Sequence, residues 1–275
     1  MIEQRDALLR LLRDDDPETL DLVKQQLAQQ NAAALGELRT LLADADPLAA
    51  RHLRDAIAAI ETREADAIFG QVCAEFGEYG DLEEAAWRLA ATFTPGADFR
   101  PQREALDAWG AEVARRFEKA ATEVDRVETL VEYLAHEVRL RGNQADYYNV
   151  NNSLLPHVIE SRHGIPISLS LVYLLVGQRA GLALEGVGFP GHFIVRRGGS
   201  FFDPFHGGRR LGLDECRALL APQNLVLSAD HLQPSTPRQI LRRMLLNLFS
   251  ISRASDHALA EKFAGWIQKL RPRPG

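Results

Sequence analysis

Sulfur is scarce in this chain. Two cysteines and two methionines occur among 275 residues, and no cysteine stands anywhere from Ala74 to Glu215. A disulfide framework is therefore not built in, and a reducing, cytoplasmic setting is expected. Cys73 lies in the apolar stretch IFGQVCAEF and reads as a small core residue. Cys216, in LDECRALL, has Asp214 and Glu215 for neighbours, which do not supply the positive surroundings a reactive thiolate needs. Long apolar runs are missing as well: none approaches the ~20 residues of a membrane span. The start, MIEQRDALLRLLRDDD, is charged from its third residue, so no export signal is expected. Excess positive charge is the third absence. With 32 Lys and Arg against 38 Asp and Glu, the net charge of −6 argues against a surface that coats nucleic acid. Neither nucleic acid nor a membrane is expected as partner.

What is present is ordinary globular composition, 46% hydrophobic and 25% charged, in a length that suits one large or two modest domains. Residues 1–65 are rich in Leu and Ala at helical spacing and carry a repeat. Leu11-Leu12-Arg13-Asp14-Asp15-Asp16-Pro17 returns thirty positions later as Leu41-Leu42-Ala43-Asp44-Ala45-Asp46-Pro47. Each copy precedes a second amphipathic segment, so two helix–turn–helix units are expected, with Asp-Pro as cap and first-turn residue. The pattern resembles HEAT-type repeats in a short form. Glu61 to Asp66, charged and poor in apolar residues, is the expected join to a second domain over residues 66–250, with a C-terminal helix and basic tail over 251–275. Within that domain, helices are expected up to Gly77 and from Asp81 to Ala91, then over Gln102–Phe117 and Val124–Leu140.

The segment from Asn151 to Phe205 carries the chemistry. Pro166 starts a helix, since a proline in the first turn has no N–H bond to lose, and Gly181 ends it. Apolar residues from Ile167 to Ala180 cover nearly its whole circumference, so it is expected to be buried on most sides. Ser168 and Ser170 fall in its first turns, where free backbone N–H groups favour developing negative charge. Two readings stand for these hydroxyls: candidate nucleophile, or local bonds to the backbone. Gly188–Arg197 and Ser200–Phe205 read as strands joined by Gly198-Gly199. Folding there brings His192 roughly opposite Asp203, so that a carboxylate orients an imidazole; a pair that merely ties the hairpin together has the same spacing.

The loop RLRGNQADYYNVNNSLL precedes this segment. Asn143, Tyr148 and Asn152 are candidates to contact a ligand, as is His206 beside Asp203; the Asn side chains equally suit their own turns. Gly186-Val187-Gly188-Phe189-Pro190-Gly191 fits GxGxxG, but a strand follows where a dinucleotide site needs a helix. His157, Glu160 and His163 stand three apart, a spacing that drifts around a helix and leaves a ligand set incomplete. No cofactor and no metal are expected.

Helix, strand with His, strand with Asp is the order of papain-like and transglutaminase-like folds. GIPISLSLVYLLVGQRAGL, GVGFPGHFIVRR, FFDPFHGGRRL, the preceding YYNVNNSLL and the later ILRRMLLNL together resemble the SirB-type family of bacterial transglutaminase-like proteins, over roughly Asp81 to Leu248. The resemblance implies an α+β fold of the papain-like cysteine protease kind, a small antiparallel sheet packed on helices, here preceded by the all-α repeat segment. It puts the family's His and Asp on His192 and Asp203. Counting back from the end of the helix, the position of a nucleophilic Cys falls near Pro166 or Ile167, so the sulfur that would attack is absent and Ser168 is the nearest substitute. Longer members of that family continue with a further helical module, so a function resting on it is not expected here. Two functions follow. One is a non-catalytic interaction or regulatory protein with a protein or peptide partner. The other is an acyl-transfer or amide-hydrolysing enzyme using His192, Asp203 and Ser168. Oligomeric state is left open by the sequence.

Overall fold

A computed structural model describes residues 2–13 and 16–270. Asp14, Asp15 and the basic tail from Arg271 to Gly275 lie outside them. The chain divides into two compact units, Met1–Gln71 with Ala91–Ala97, and Val72–Ala90 with Asp98–Gly275.

The first unit holds helices α1 (Ile2–Leu11), α2 (Pro17–Ala28) and α3 (Leu35–Asp44), and most of α4 (Pro47–Glu75). Both Asp-Pro turns cap as their chemistry dictates. The Asp16 carboxylate accepts from the amides of Glu18 and Thr19 at 3.4 and 3.1 Å, and that of Asp46 from Leu48 and Ala49 at 2.9 and 3.0 Å. Leu9, Leu12, Leu27, Leu38, Leu41, Leu53 and Ile60 meet in one core. Where the sequence suggested a join at Glu61–Asp66, α4 runs on without a break. Its apolar face continues through buried Phe69 to Cys73, and Arg63, at the middle of the charged run, donates to the carbonyls of Ala28 and Gln30 at the end of α2. Part of that charge serves as a cap for a neighbouring helix, and the division between the units falls a few residues later, after Gln71.

In the second unit, α5 (Leu82–Ala91) starts at Asp81, whose carboxylate accepts from the Glu84 amide at 2.9 Å. Helix α6 (Arg100–Arg116) follows, then α7 (Glu123–Glu132) with a Thr122–Asp125 capping box. The helix expected to reach Leu140 instead loosens into a π-turn over Tyr133–Glu137, and Arg139 turns the chain with φ +66°. Next come β1 (Arg141–Gly142), α8 (Leu155–Ser161) and β2 (His163–Gly164), the two short strands pairing in parallel. Helix α9 (Pro166–Arg179) runs through the core with Ile167, Leu169, Leu171, Val172, Tyr173, Leu175 and Val176 all buried. Strands β3 (Glu185–Phe189), β4 (His192–Arg197), β5 (Ser200–Asp203) and β6 (Arg209–Leu211) form an antiparallel meander in that order. The single strand expected over Gly188–Arg197 is thus two strands. Pro190-Gly191 reverses the chain, Gly191 at φ +73°, and Phe189 pairs back onto His192. Helices α10 (Leu213–Leu220), α11 (Pro237–Ser252) and α12 (His257–Lys269) complete the unit. Among the described residues no helix is long and apolar enough to cross a membrane.

The last turn of α9 is fastened to α5 and α6 through one side chain. Arg179 donates two parallel bonds to Glu83 at 2.8 and 2.9 Å and a third to Asp107 at 2.6 Å. The approach of α6 needs Gly110, because a Cβ there would come within 2.4 Å of the Arg179 Cβ. That atom is held by the helix backbone and cannot swing aside. Gly110→Ala is therefore expected to cost about 1–3 kcal/mol despite its better helix propensity. Thermal unfolding checks this, and an unchanged midpoint would show that α6 and α9 are not locked at this contact.

Candidate functional site

Strand β4 carries His192 and β5 ends on Asp203. Val195 pairs with Phe202, and one more step of that register sets Asp203 against Ile194. With side chains alternating along a strand, His192 and Asp203 stand on one face as a diagonal pair rather than directly opposed. The His192 Nε2 lies 2.9 Å from Asp203 Oδ2. The same oxygen is 2.7 Å from Nδ1 of His206, which the turn after β5 brings round, while Oδ1 accepts from the amides of Phe205 and His206 at 3.1 and 3.4 Å. Asp203 is fully buried. Burial alone would raise its pKa, yet the bonds and charges of His192 and His206 win, and the carboxyl sits below its ordinary value. With Nε2 facing a carboxylate, Nε2 is the ring nitrogen that donates. Nothing among the described residues bonds to His192 Nδ1.

His192 opens onto a cavity of about 150 Å³ whose walls include Tyr147, Pro166, Ile167, Arg243 and Asn247. Pro166 and Ile167, at the start of α9, line the same cavity as His192 and carry only hydrocarbon side chains. Ser168 lies one residue further and is engaged elsewhere. Its buried hydroxyl donates to the carbonyl of Asn152 at 2.5 Å and accepts from the Ile165 amide at 3.1 Å, closing the first turn of the helix. Ser170 reaches the Phe193 carbonyl at 3.4 Å and ties α9 to β4. The structure therefore brings together His192, Asp203 and His206, and does not bring Ser168 to them.

The Asn-rich loop is held by its own side chains. Asn143 Nδ2 donates to Asn152 Oδ1 at 3.0 Å and Asn143 Oδ1 accepts from the Asp146 amide at 3.1 Å. Buried Asn152 donates to the carbonyls of Asp146 and Tyr147 at 2.6 and 3.3 Å. The amides thus shape the turn that delivers Tyr147 to the cavity. Tyr148 stands 76% exposed beside it, its ring edge-on to that of Tyr147. His206 is half exposed.

Two lining residues, Arg243 and Asn247, were read in the sequence only within the ILRRMLLNL stretch of the family resemblance. They stand four apart on α11, hence on one face, and that polar pair beside an apolar stripe was the available signal. The Arg243 Nη2 donates to the carbonyl of His192 at 2.8 Å. Neither cysteine reaches the site. Both are free and buried; burial pushes the Cys73 thiol up to about 12 and raises that of Cys216 too, with Glu215 adding to it.

For a metal, His192, Asp203 and His206 offer one ligand atom each, all within 4.8 Å of one another, the only such group of three found among the described residues. It differs from the His157, Glu160 and His163 set weighed from the sequence. Both imidazoles already bond to one carboxylate oxygen, so an ion would replace two hydrogen bonds.

Residues 101–246, more than half of the chain, match the family model of the transglutaminase-like superfamily. The chain belongs to that superfamily. A UPF0162 protein of Xylella fastidiosa is 40% identical to this transglutaminase-like chain over 152 residues, which are 51% of the chain and 54% of that protein. A UPF0162 protein of Pseudomonas aeruginosa is 30% identical over 185 residues, 65% of the chain and 67% of the relative. The mouse F-box only protein 21 is 33% identical over 132 residues, 44% of the chain but 21% of that longer protein. The transglutaminase-like chain spans about half the length of the Xylella relatives it matches. No solved structure matches it.

Proposed function

We propose that this transglutaminase-like chain is a non-catalytic binding protein whose crevice receives a protein or peptide segment. One observation carries the reading: where α9 begins, the cavity that His192 lines is lined by Pro166 and Ile167, neither of which carries a nucleophile. Acyl transfer through an enzyme nucleophile needs a thiol or hydroxyl within hydrogen-bond reach of the base. The hydroxyl of Ser168 is already committed to Asn152. The SirB-type kinship, a cytoplasmic setting and short HEAT-type units in the N-terminal helices belong to the same proposal. A pull-down compared with and without residues 1–65 tests whether the repeats recruit a partner.

Catalysis is tested with a broad set of acyl probes, fluorophosphonates included, applied to the folded protein. No labelling above a heat-denatured control is expected, and His192→Ala should change nothing. Labelling at Ser168 that disappears in both Ser168→Ala and His192→Ala would establish the enzyme instead.

A further inference from the structure

The cavity beside His192 contains a cation, Arg243, whose charge no acidic group among the described residues answers. Arg243 is half buried, and among the described residues no Asp or Glu pairs with it. Several other partly buried arginines here are neutralised, Arg179 by Glu83 and Asp107, Arg196 by Glu185, Arg116 by Glu112 and Glu137, while Arg162 is covered by the face of Trp109 at 4.5 Å and does not line the cavity of His192. Arg243 is instead held in place by neutral groups. Its Nη2 bonds to the carbonyl of His192 at 2.8 Å, and the guanidinium stands 5.8 Å from the ring centroid of Phe193. Gly188 leaves room for it, since a Cβ there would come 3.2 Å from Nη1. A guanidinium has five N–H donors in a rigid fork, so most of the fork is left over. Burial lowers its pKa and Tyr147 acts against that. Tyr147 and Asn247, lining the same cavity, add a hydroxyl and an amide.

Among the described residues no carboxylate lines this space. The nearby one, on Asp203, is occupied by two imidazoles and two backbone amides. A desolvated cation without a counterion is costly, and a bound anion removes that cost. The cavity of about 150 Å³ is worth about five water molecules at roughly 30 Å³ each. It suits the end of a side chain or of a peptide, not a whole cofactor. A single guanidinium with neutral donors matches one negative charge; a phosphomonoester, with about −1.5 to −2, would exceed it.

We propose that Arg243, with Asn247 and Tyr147 beside it, forms a carboxylate-binding site in the cavity next to His192, and that the carboxylate is carried by a bound peptide. Its source is either the peptide's C-terminus or an acidic side chain. This deepens the binding reading above and rests on it.

The test uses the full chain and three probes followed by NMR: N-acetyl-trialanine with a free carboxyl terminus, the same peptide amidated, and N-acetyl-glutamate N-methylamide. The Arg243 side-chain and His192 ring resonances are expected to shift with one or both carboxylate probes, at Kd values on the order of 1 mM, weakening as salt is added. The amidated peptide should leave them in place, and which acid binds identifies the source. Arg243→Gln should weaken binding roughly 10- to 100-fold, the loss of one charge-assisted pair. Asn247→Leu and Tyr147→Phe, which leave the Arg243–His192 bond intact, should each weaken it several-fold, of the order of one hydrogen bond. Equal binding of acid and amide, indifference to all three substitutions, tighter Arg243-dependent binding of inorganic phosphate, or no shift with either acid would overturn the proposal. Product signals growing during the titration would overturn the non-catalytic reading instead, so the two failures are separable.

Discussion

Replacing Asp203 by Ala is expected to cost about 3–5 kcal/mol, the most damaging of the substitutions considered. Four groups bond to this one buried carboxylate. Its removal leaves two imidazole nitrogens and two amides without their acceptor, each paying its own desolvation cost. For a protein of this size the midpoint should fall by roughly 6–20 °C, at about 2–4 °C per kcal/mol. The loss is also expected to depend on pH with a definite sign. Asp203 titrates below its unfolded value, so its contribution is fully present above the ordinary carboxylate range and disappears as pH falls below 3.8 toward the depressed folded value. Wild type and variant should therefore converge in acid. Calorimetry across that range checks both statements, and a variant within 1 kcal/mol of wild type at neutral pH would mean that the turn holds itself.

Pro166→Cys is expected to install a thiol whose alkylation by iodoacetamide has an inflection about two units below that of an ordinary thiol, near 8.5. Two causes act together. The first turn of α9 offers backbone N–H groups to an anion, and His192 lines the same cavity as Pro166. The native cysteines make a silent background, because both are buried with raised pKa values. The rate at one pH is a poor readout, since a lower pKa also lowers intrinsic nucleophilicity; the pH profile is the better one. Adding His192→Ala should move the inflection back up by about one unit or more. An inflection near 8.5 in both proteins would separate position 166 from the His192 side of the crevice.

How much of this was legible beforehand follows from the range of the forces involved. Asp16 and Asp46 announced their helix starts because capping acts over two or three residues. The proximity of His192 and Asp203 could be read because a two-residue Gly198-Gly199 turn sets register over a handful of positions. The local-bond reading of Ser168 is met by Ile165 three residues back, but its shortest bond, to the carbonyl of Asn152 sixteen residues back across a loop, could not be read. The charged run at Glu61–Asp66 lies a few residues before the division of the chain after Gln71, but the helix that carries it through, and the carbonyls more than thirty residues away that Arg63 answers, could not be read locally.

The sequence by itself determined the two helical pairs at the start, the buried helix from Pro166, the hairpin that carries His192 and Asp203, and the absence of sulfur between them. Each depends on propensity, capping or period-two alternation, which neighbouring residues encode. Only the tertiary structure decided that Pro166 and Ile167 wall the cavity, that Ser168 turns away, and that Arg243 arrives beneath His192 from fifty-one residues further on. These follow from which faces of α9, α11 and the sheet pack together, and packing responds to shape and buried area summed over the whole unit rather than to any local stretch of chain.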